Sequence, residues 1–253
     1  MKTSVVTGGA SGIGLEFVKL LLNDNYKVFI IDNNEKNLMH LKSKLNSGNF
    51  SCINEDLTER SSPMKIYKKL KDQKIDILIN NAGFGTFGKF YKTNWKIEEK
   101  MINLHVLNTT LLTKLFLKDM VKRNEGKILN ISSVAAFQPG PLMSLYYATK
   151  AYILHFTEAI SNEVKDKNIS ISVLCPGQTN TNFQKNVSSK KNRINFSSSC
   201  PEKVAKYGYN SLKNNITVSV PGYLNKLIVF LNRILPRSIS TNIVRFIQEK
   251  NRN

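Results

Sequence analysis

The chain has 253 residues, 41% of them hydrophobic, which suits one large α/β domain and excludes a mostly disordered chain. Lys and Arg number 37 against 18 Asp and Glu, a formal net charge of +19, which admits nucleic acid, an anionic membrane or acidic ligands as partners. The excess is mostly Lys, scattered along the chain beside abundant Asn. Both residues have A/T-rich codons, so compositional drift accounts for the charge without a function, and nucleic acid is not the expected partner.

The elements expected in chain order alternate strand and helix. Residues 4–7 form a β-branched run, followed by a Gly-rich turn and a helical pattern over 12–23. A strand is expected at 27–31, a helix at 35–45, a strand at 50–54, part of a helix at 64–70 and a strand at 76–79. One long helix covers 97–121, then a strand 127–132, a second long helix 144–164 and a strand 169–174. A helix at 202–213 and a last strand at 216–220 follow. The strands are near-continuous apolar runs, which fit a parallel sheet covered on both faces. The order predicts an α/β, Rossmann-type doubly wound parallel sheet.

A single domain over 1–253 is expected, with a polar, flexible substrate lid at about 179–200 and a C-terminal helical extension at about 221–253. No run of about 18 apolar residues reads as a membrane span. The chain enters a strand at once, leaving no room for a leader. Three cysteines, Cys52, Cys175 and Cys200, show no metal-ligand spacing and read as reduced thiols in a cytoplasmic protein.

Residues 7–14, TGGASGIG, lie between the first strand and the first helix. Gly8 permits a tight turn, Gly12 lets backbone approach a pyrophosphate, and Gly14 permits close packing. With Ser11 and Ile13 they present a helix N-terminus to phosphates. Asp32 closes the second strand, where a carboxylate accepts from both adenosine ribose hydroxyls and repels a 2′-phosphate. Asn33 and Asn34 follow it, not Arg. The pattern favours NAD(H), with NADP(H) the alternative. Asp56, with Leu57 beside it, is placed to meet the adenine edge.

Four ordered motifs then stand out: TGGASGIG at 7–14, NNAG at 80–83, Ser133 followed by Tyr146-x-x-x-Lys150, and Pro176-Gly177 with Thr179 and Thr181 beyond. With them the sequence resembles the short-chain dehydrogenase/reductase (SDR) family over nearly its whole length. The resemblance implies an NAD(P)-dependent oxidoreductase acting on CH–OH groups. It also implies that Asn80, Ala82 and Gly83 stabilise the central sheet and line the adenosine side of the cofactor. Pro176, Gly177, Thr179 and Thr181 would stand by the nicotinamide carboxamide.

The chemistry of the triad also follows from the residue types. Tyr146 and Lys150 share one helical face. A phenol, pKa about 10 unperturbed, is a poor base at neutral pH, and a neighbouring ammonium favours its phenolate. Tyr146 then serves as general acid/base, and Lys150 also binds the nicotinamide ribose. Ser133, at a strand's C-terminal end, orients the substrate oxygen. Tyr147 and Ser132 are the adjacent alternatives.

The family usually carries an Asn in the long fourth helix, and the aligned residue here is His105. It is a candidate for the proton relay behind Lys150, or a ring packed beside the core. Asn103 lies on a different helical face.

Candidate pocket residues are mainly apolar: Phe84, Val134, Ala135, Phe137, Pro139 and Leu142, with Met143, Tyr147 and Phe183. They suggest a carbonyl or secondary alcohol on a moderately hydrophobic small molecule. The C-terminal stretch is apolar and basic at helical spacing, broken at Pro236. Such a segment covers a cleft or a subunit interface, or lies on an anionic membrane. The family also implies a homodimer or homotetramer built on the two long helices. A second reading keeps the fold and the nucleotide site, but has little or no turnover and acts through the basic surface.

Overall fold

The structure, a computed structural model, describes residues 1–45, 48–181, 183 and 198–252. Its elements are β1 (Thr3–Thr7), α1 (Gly12–Asn23), β2 (Lys27–Asp32), α2 (Glu35–Lys44), β3 (Phe50–Asn54) and α3 (Ser62–Leu70). Then come β4 (Ile77–Asn80), α4 (Trp95–Ile102), α5 (Thr109–Arg123), β5 (Gly126–Ile131), α6 (Ser144–Glu163) and β6 (Ile169–Leu174). The chain continues with α7 (Pro201–Lys213), β7 (Val218–Ser219), α8 (Tyr223–Ile234) and α9 (Arg237–Arg252).

The seven strands form one parallel sheet in the order β3-β2-β1-β4-β5-β6-β7. Period-two alternation sends Val6, Ile30 and Leu129 to one face, against Phe17, Leu21 and Leu212 of α1 and α7. Val5, Ile31 and Ile128 point the other way, against Ile66, Leu112 and Phe116 of α3 and α5. Burial on both faces is why these strands carry apolar runs. Strand order reverses between β1 and β4, and such a reversal opens a crevice beyond the strands' carboxyl ends.

The long helix expected at 97–121 is not continuous. A π-helical turn, Asn103–Asn108, separates α4 from α5, and the Thr109 hydroxyl donates to the Leu104 carbonyl there (3.0 Å). Widening the turn admits an extra residue and turns side chains inward: Asn103, Leu104, His105 and Asn108 are all buried. The Asn108 amide donates to the carbonyls of Leu57 and Glu59, holding the loop after β3. The last strand is shorter than expected.

A polar ladder crosses the sheet beneath α5 and α6. The Asn80 amide donates to Thr113 Oγ1 (3.0 Å) and to Asn130 Oδ1 (2.8 Å). Asn130 in turn donates to Thr157 Oγ1 (2.9 Å). All four side chains are buried.

Candidate active site

One cleft of about 890 Å3 runs along the carboxyl ends of the strands. Its floor at one end is the turn after β1, with Gly8, Ser11, Gly12 and Ile13 in the lining. Gly8 and Gly12 hold φ of 61° and 53°, a region that glycine adopts without strain. A side chain on Gly12 would meet Thr181, its Cβ 3.1 Å from Thr181 Cγ2. Ser11 N-caps α1 without a side-chain hydrogen bond, and no acid stands in the helix's first turn. The first-turn N–H groups, which lack partners within a helix, therefore face the cleft with their partial positive charge uncancelled.

Asp32 at the end of β2 accepts from Ala10 N–H through Oδ2 (3.1 Å) and from Asn34 N–H through Oδ1 (3.0 Å). The carboxylate thus braces the glycine turn, and each oxygen keeps further acceptor capacity. Asp56, Leu57 and Glu55 line the same end. Thr7 Oγ1 accepts from the amides of Asn81 (2.9 Å) and Ala82 (3.0 Å), and the Asn81 side chain donates to Thr7 O and Gly8 O. This clamp fixes the glycine turn to the segment after β4. Asn81, Glu55 and the β3-loop anchor Asn108 are missing from the sequence expectations; the doubled Asn in NNAG was the available signal for Asn81.

Two expected cofactor residues stand behind the lining. Asn80 does not line the cleft: its amide belongs to the cross-sheet ladder. Gly14 backs the turn, since a Cβ there would lie 2.1 Å from the Gly8 carbonyl oxygen.

At the other end Ser133, Tyr146 and Lys150 line one stretch of the cleft. Ser133 follows β5, and its Oγ accepts from Ala135 N–H (3.2 Å) and lies 3.4 Å from the Pro176 carbonyl. The Lys150 ammonium is 5.7 Å from the Tyr146 ring centre and donates to the Ile131 carbonyl (3.0 Å). Lys150 is 5% exposed, and burial pushes its pKa down to about 8. The alternatives separate here: Ser132 donates to the Lys150 carbonyl (2.7 Å), and Tyr147 OH accepts from Gln248 of α9 (2.9 Å).

His105 does not reach the cleft. Its ring is fully buried. Nε2 accepts from Phe84 N–H (3.2 Å) and Nδ1 lies 2.9 Å from Thr149 Oγ1. An amide only donates, so Nε2 is unprotonated and Nδ1 carries the proton. Burial first, then the Lys150 cation, hold its pKa well below the usual histidine range. Gly83 makes the fit possible, since a Cβ there would be 2.9 Å from His105 Nε2.

Ala82, Gly83, Pro176, Gly177, Thr179 and Thr181 all line the cleft. Of the expected pocket residues, Phe84, Val134, Ala135, Met143, Tyr147 and Phe183 do so. Phe137, Pro139 and Leu142 do not; Phe137 packs towards Ile153, Cys175 and Val218 instead. Most of the expected lid, residue 182 and residues 184–197, lies outside the described residues. The C-terminal helices supply a wall, with Ile228 and Leu231 of α8 and Val244 and Ile247 of α9 in the lining. Among the described residues, no helix is long and apolar enough to cross a membrane.

The family model described as "short chain dehydrogenase" matches residues 2–192. The chain is 32% identical over 192 residues to 17-beta-hydroxysteroid dehydrogenase type 3 of Mus musculus, covering 74% of this chain and 63% of that one. The chain thus spans less than two thirds of that relative's length. Its fold matches a short-chain dehydrogenase from Sphingobium yanoikuyae in complex with NADPH, with TM-score 0.81, 22% identity, and coverage of 94% of this chain and 97% of that chain. It also matches a short chain dehydrogenase/reductase from Burkholderia phymatum in complex with NAD, with TM-score 0.82, 19% identity, and coverage of 91% and 92%. The family match over residues 2–192 and the parallel sheet order agree: the chain belongs to the short-chain dehydrogenase/reductase family.

Proposed function

We propose that this protein is an NAD(P)-dependent oxidoreductase that interconverts a secondary alcohol and a carbonyl on a moderately hydrophobic small molecule. One observation carries the reading: Ser133, Tyr146 and Lys150 line the same cleft as the glycine turn and Asp32. In a nicotinamide dinucleotide complex, Gly8, Ser11, Gly12 and Ile13 would hold the pyrophosphate, and Asp32, Asp56 and Leu57 would hold the adenosine. When bound, the nicotinamide gives or takes the hydride.

The protein's own side chains handle the proton. Tyr146 gives a proton to the substrate oxygen in reduction and takes it in oxidation. The Lys150 cation favours the phenolate. An ammonium has three donors; Ile131 O takes one, and the others would serve the ribose hydroxyls. The long Ser133–Pro176 contact can yield to a substrate oxygen, so Ser133 orients the carbonyl and stabilises its developing charge. His105 acts through other groups: neutral, it ties the backbone of Phe84 to the helix that carries Tyr146 and Lys150.

The favoured cofactor is NAD(H). Among the described residues that line the cleft, Lys150 is the one basic residue, while Asp32, Glu55 and Asp56 line the adenosine end. A 2′-phosphate would meet carboxylates there and, among the described residues, no cation. Leu107, Val121 and Tyr152 remain exposed on or beside α5 and α6, which supports pairing of two copies through these helices.

The test is titration of purified protein with NADH and NADPH by fluorescence, followed by turnover on a panel of ketones and alcohols. NADH is expected to bind more tightly. Tyr146→Phe is expected to cut turnover by about 10²–10⁴-fold while NADH affinity stays within twofold. Binding of neither cofactor would overturn the reading, and binding without turnover would overturn it in favour of a non-catalytic nucleotide-binding protein.

A further inference from the structure

We propose that α8 and α9 form a docking surface for an anionic lipid membrane, with the mouth of the cleft turned towards the lipid. On α8, Tyr223, Leu227, Phe230 and Ile234 recur at i, i+4, i+7 and i+11, so they make one stripe. All four are exposed, Tyr223 to 92%. On α9, Ile239, Ile243 and Phe246 repeat the pattern, again exposed. Nine of the twenty large exposed apolar side chains among the described residues fall between positions 223 and 246. A cluster of this kind marks an interaction surface.

Charge selects the partner. Residues 221–250 hold five basic side chains, Lys226, Arg233, Arg237, Arg245 and Lys250, against one acid, Glu249. Glu249 is already paired with Arg245 (3.0 Å). On α8, Lys226 and Arg233 flank the apolar stripe on one edge. Lys226 lies 5.8 Å from the Tyr223 ring centre and Lys250 5.7 Å from that of Phe246. An apolar stripe bordered by cations matches acyl chains beneath anionic headgroups. A second copy of the same face would bring like charges together. An acidic protein would satisfy the cations and leave the apolar stripes in water.

The cleft shares an edge with this surface. Leu224, Leu231 and Ile243 are 46%, 43% and 46% exposed, yet they line the cleft. They form its rim, continuous with both stripes. An apolar substrate dissolved in the bilayer would then enter without crossing water; this consequence rests on the oxidoreductase reading, whereas the docking itself does not.

Co-sedimentation with phosphatidylcholine vesicles, with and without phosphatidylglycerol, tests the docking directly. The wild-type protein is expected to bind the anionic vesicles, to bind neutral ones far less, and to lose binding as salt rises. Leu227→Glu/Phe230→Glu is expected to weaken vesicle binding roughly tenfold or more. Both side chains lie outside the cleft lining, so NADH affinity and turnover of a water-soluble carbonyl should not change. Lys226→Glu/Arg233→Glu should give the same loss without touching the apolar stripe. Failure of the wild-type protein to bind anionic vesicles overturns the proposal, as does binding that both double variants retain. If the apolar variant instead dissociates a dimer in sedimentation analysis, the face belongs to a second copy. If wild-type protein ignores vesicles but binds an acidic protein, the face belongs to that partner. The NADH titration contains no lipid, so loss of docking and loss of the oxidoreductase reading are read separately.

Discussion

The Nδ1 of His105 lies 2.9 Å from the Thr149 hydroxyl, and Thr149 donates in turn to the Tyr146 carbonyl (2.8 Å). The ring therefore connects Phe84, at the cleft wall, to the helix turn that carries Tyr146 and Lys150. It does so only while neutral. His105→Ala leaves the Phe84 amide and the Thr149 hydroxyl unpaired around a cavity, and should cost about 2–4 kcal/mol in urea denaturation. The depressed folded-state pKa sets a pH signature. The unfolded chain takes up a proton near its ordinary 6.5 while the folded chain refuses it. Wild-type stability should therefore fall as pH drops below about 6.5. His105→Asn should show a shallower fall, and equal slopes in the two proteins would refute the buried, neutral assignment.

Lys150 carries a cost of the same origin and the same sign, since burial disfavours its cation too. Its folded pKa is about 8 against an ordinary 10.5. The buried ammonium thus destabilises the cofactor-free protein below pH 8, and the penalty fades as pH rises from 8 to 10.5. Lys150→Met should raise stability at pH 7 by about 2 kcal/mol and abolish turnover. Thermal unfolding without cofactor at pH 7 and pH 10 checks this, and the gain should shrink at the higher pH.

Asp32 braces Ala10 and Asn34 and, in the proposed function, also meets the ribose. Asp32→Ala should weaken NADH binding about tenfold or more, the scale of one lost charge-assisted hydrogen bond. NADPH binding should fall less, because the carboxylate that repels its phosphate is gone. Isothermal titration with both cofactors decides; equal losses would confine Asp32 to bracing the turn.

Gly12 and Gly14 should respond differently to alanine. At Gly14 the new Cβ would lie 2.1 Å from the Gly8 carbonyl oxygen, and backbone cannot step aside locally. Gly14→Ala should cost about 1–3 kcal/mol in folding. At Gly12 the contact is a Thr181 methyl at 3.1 Å and φ is 53°. Gly12→Ala should therefore cost about 1–2 kcal/mol and, if the proposed function holds, act mainly on cofactor affinity. Urea midpoints beside NADH titrations separate the two effects.

The alternation of runs such as KVFII and ISISVL with amphipathic stretches was enough to read the doubly wound sheet, because both patterns follow from local geometry. The Ser133, Tyr146 and Lys150 constellation was legible for the same reason: strand end and helix face fix it. What escaped depends on distant partners. The π-turn at Asn103–Asn108 leaves the apolar spacing of a long helix almost unbroken. The resemblance implied that Asn80 stabilises the central sheet, but not that its mate is Asn130, fifty positions later. Periodicity marked the C-terminal helices as amphipathic, yet the Gln248–Tyr147 bond that closes α9 over the cleft spans 101 residues.

The Asn80–Asn130 pair also answers a problem that apolar strands create for themselves. In β4 and β5, Leu78 and Ile79 stand opposite Ile128 and Leu129, and such aliphatic neighbours would fit nearly as well one step along. A one-residue slip would send the two amides to opposite faces of the sheet. Each would then be sealed from water without its mate, at about 1–3 kcal/mol apiece. The paired amides are thus a registration mark between the two central strands, and the chain that aligns them has also aligned Ser133 with the helix of Tyr146.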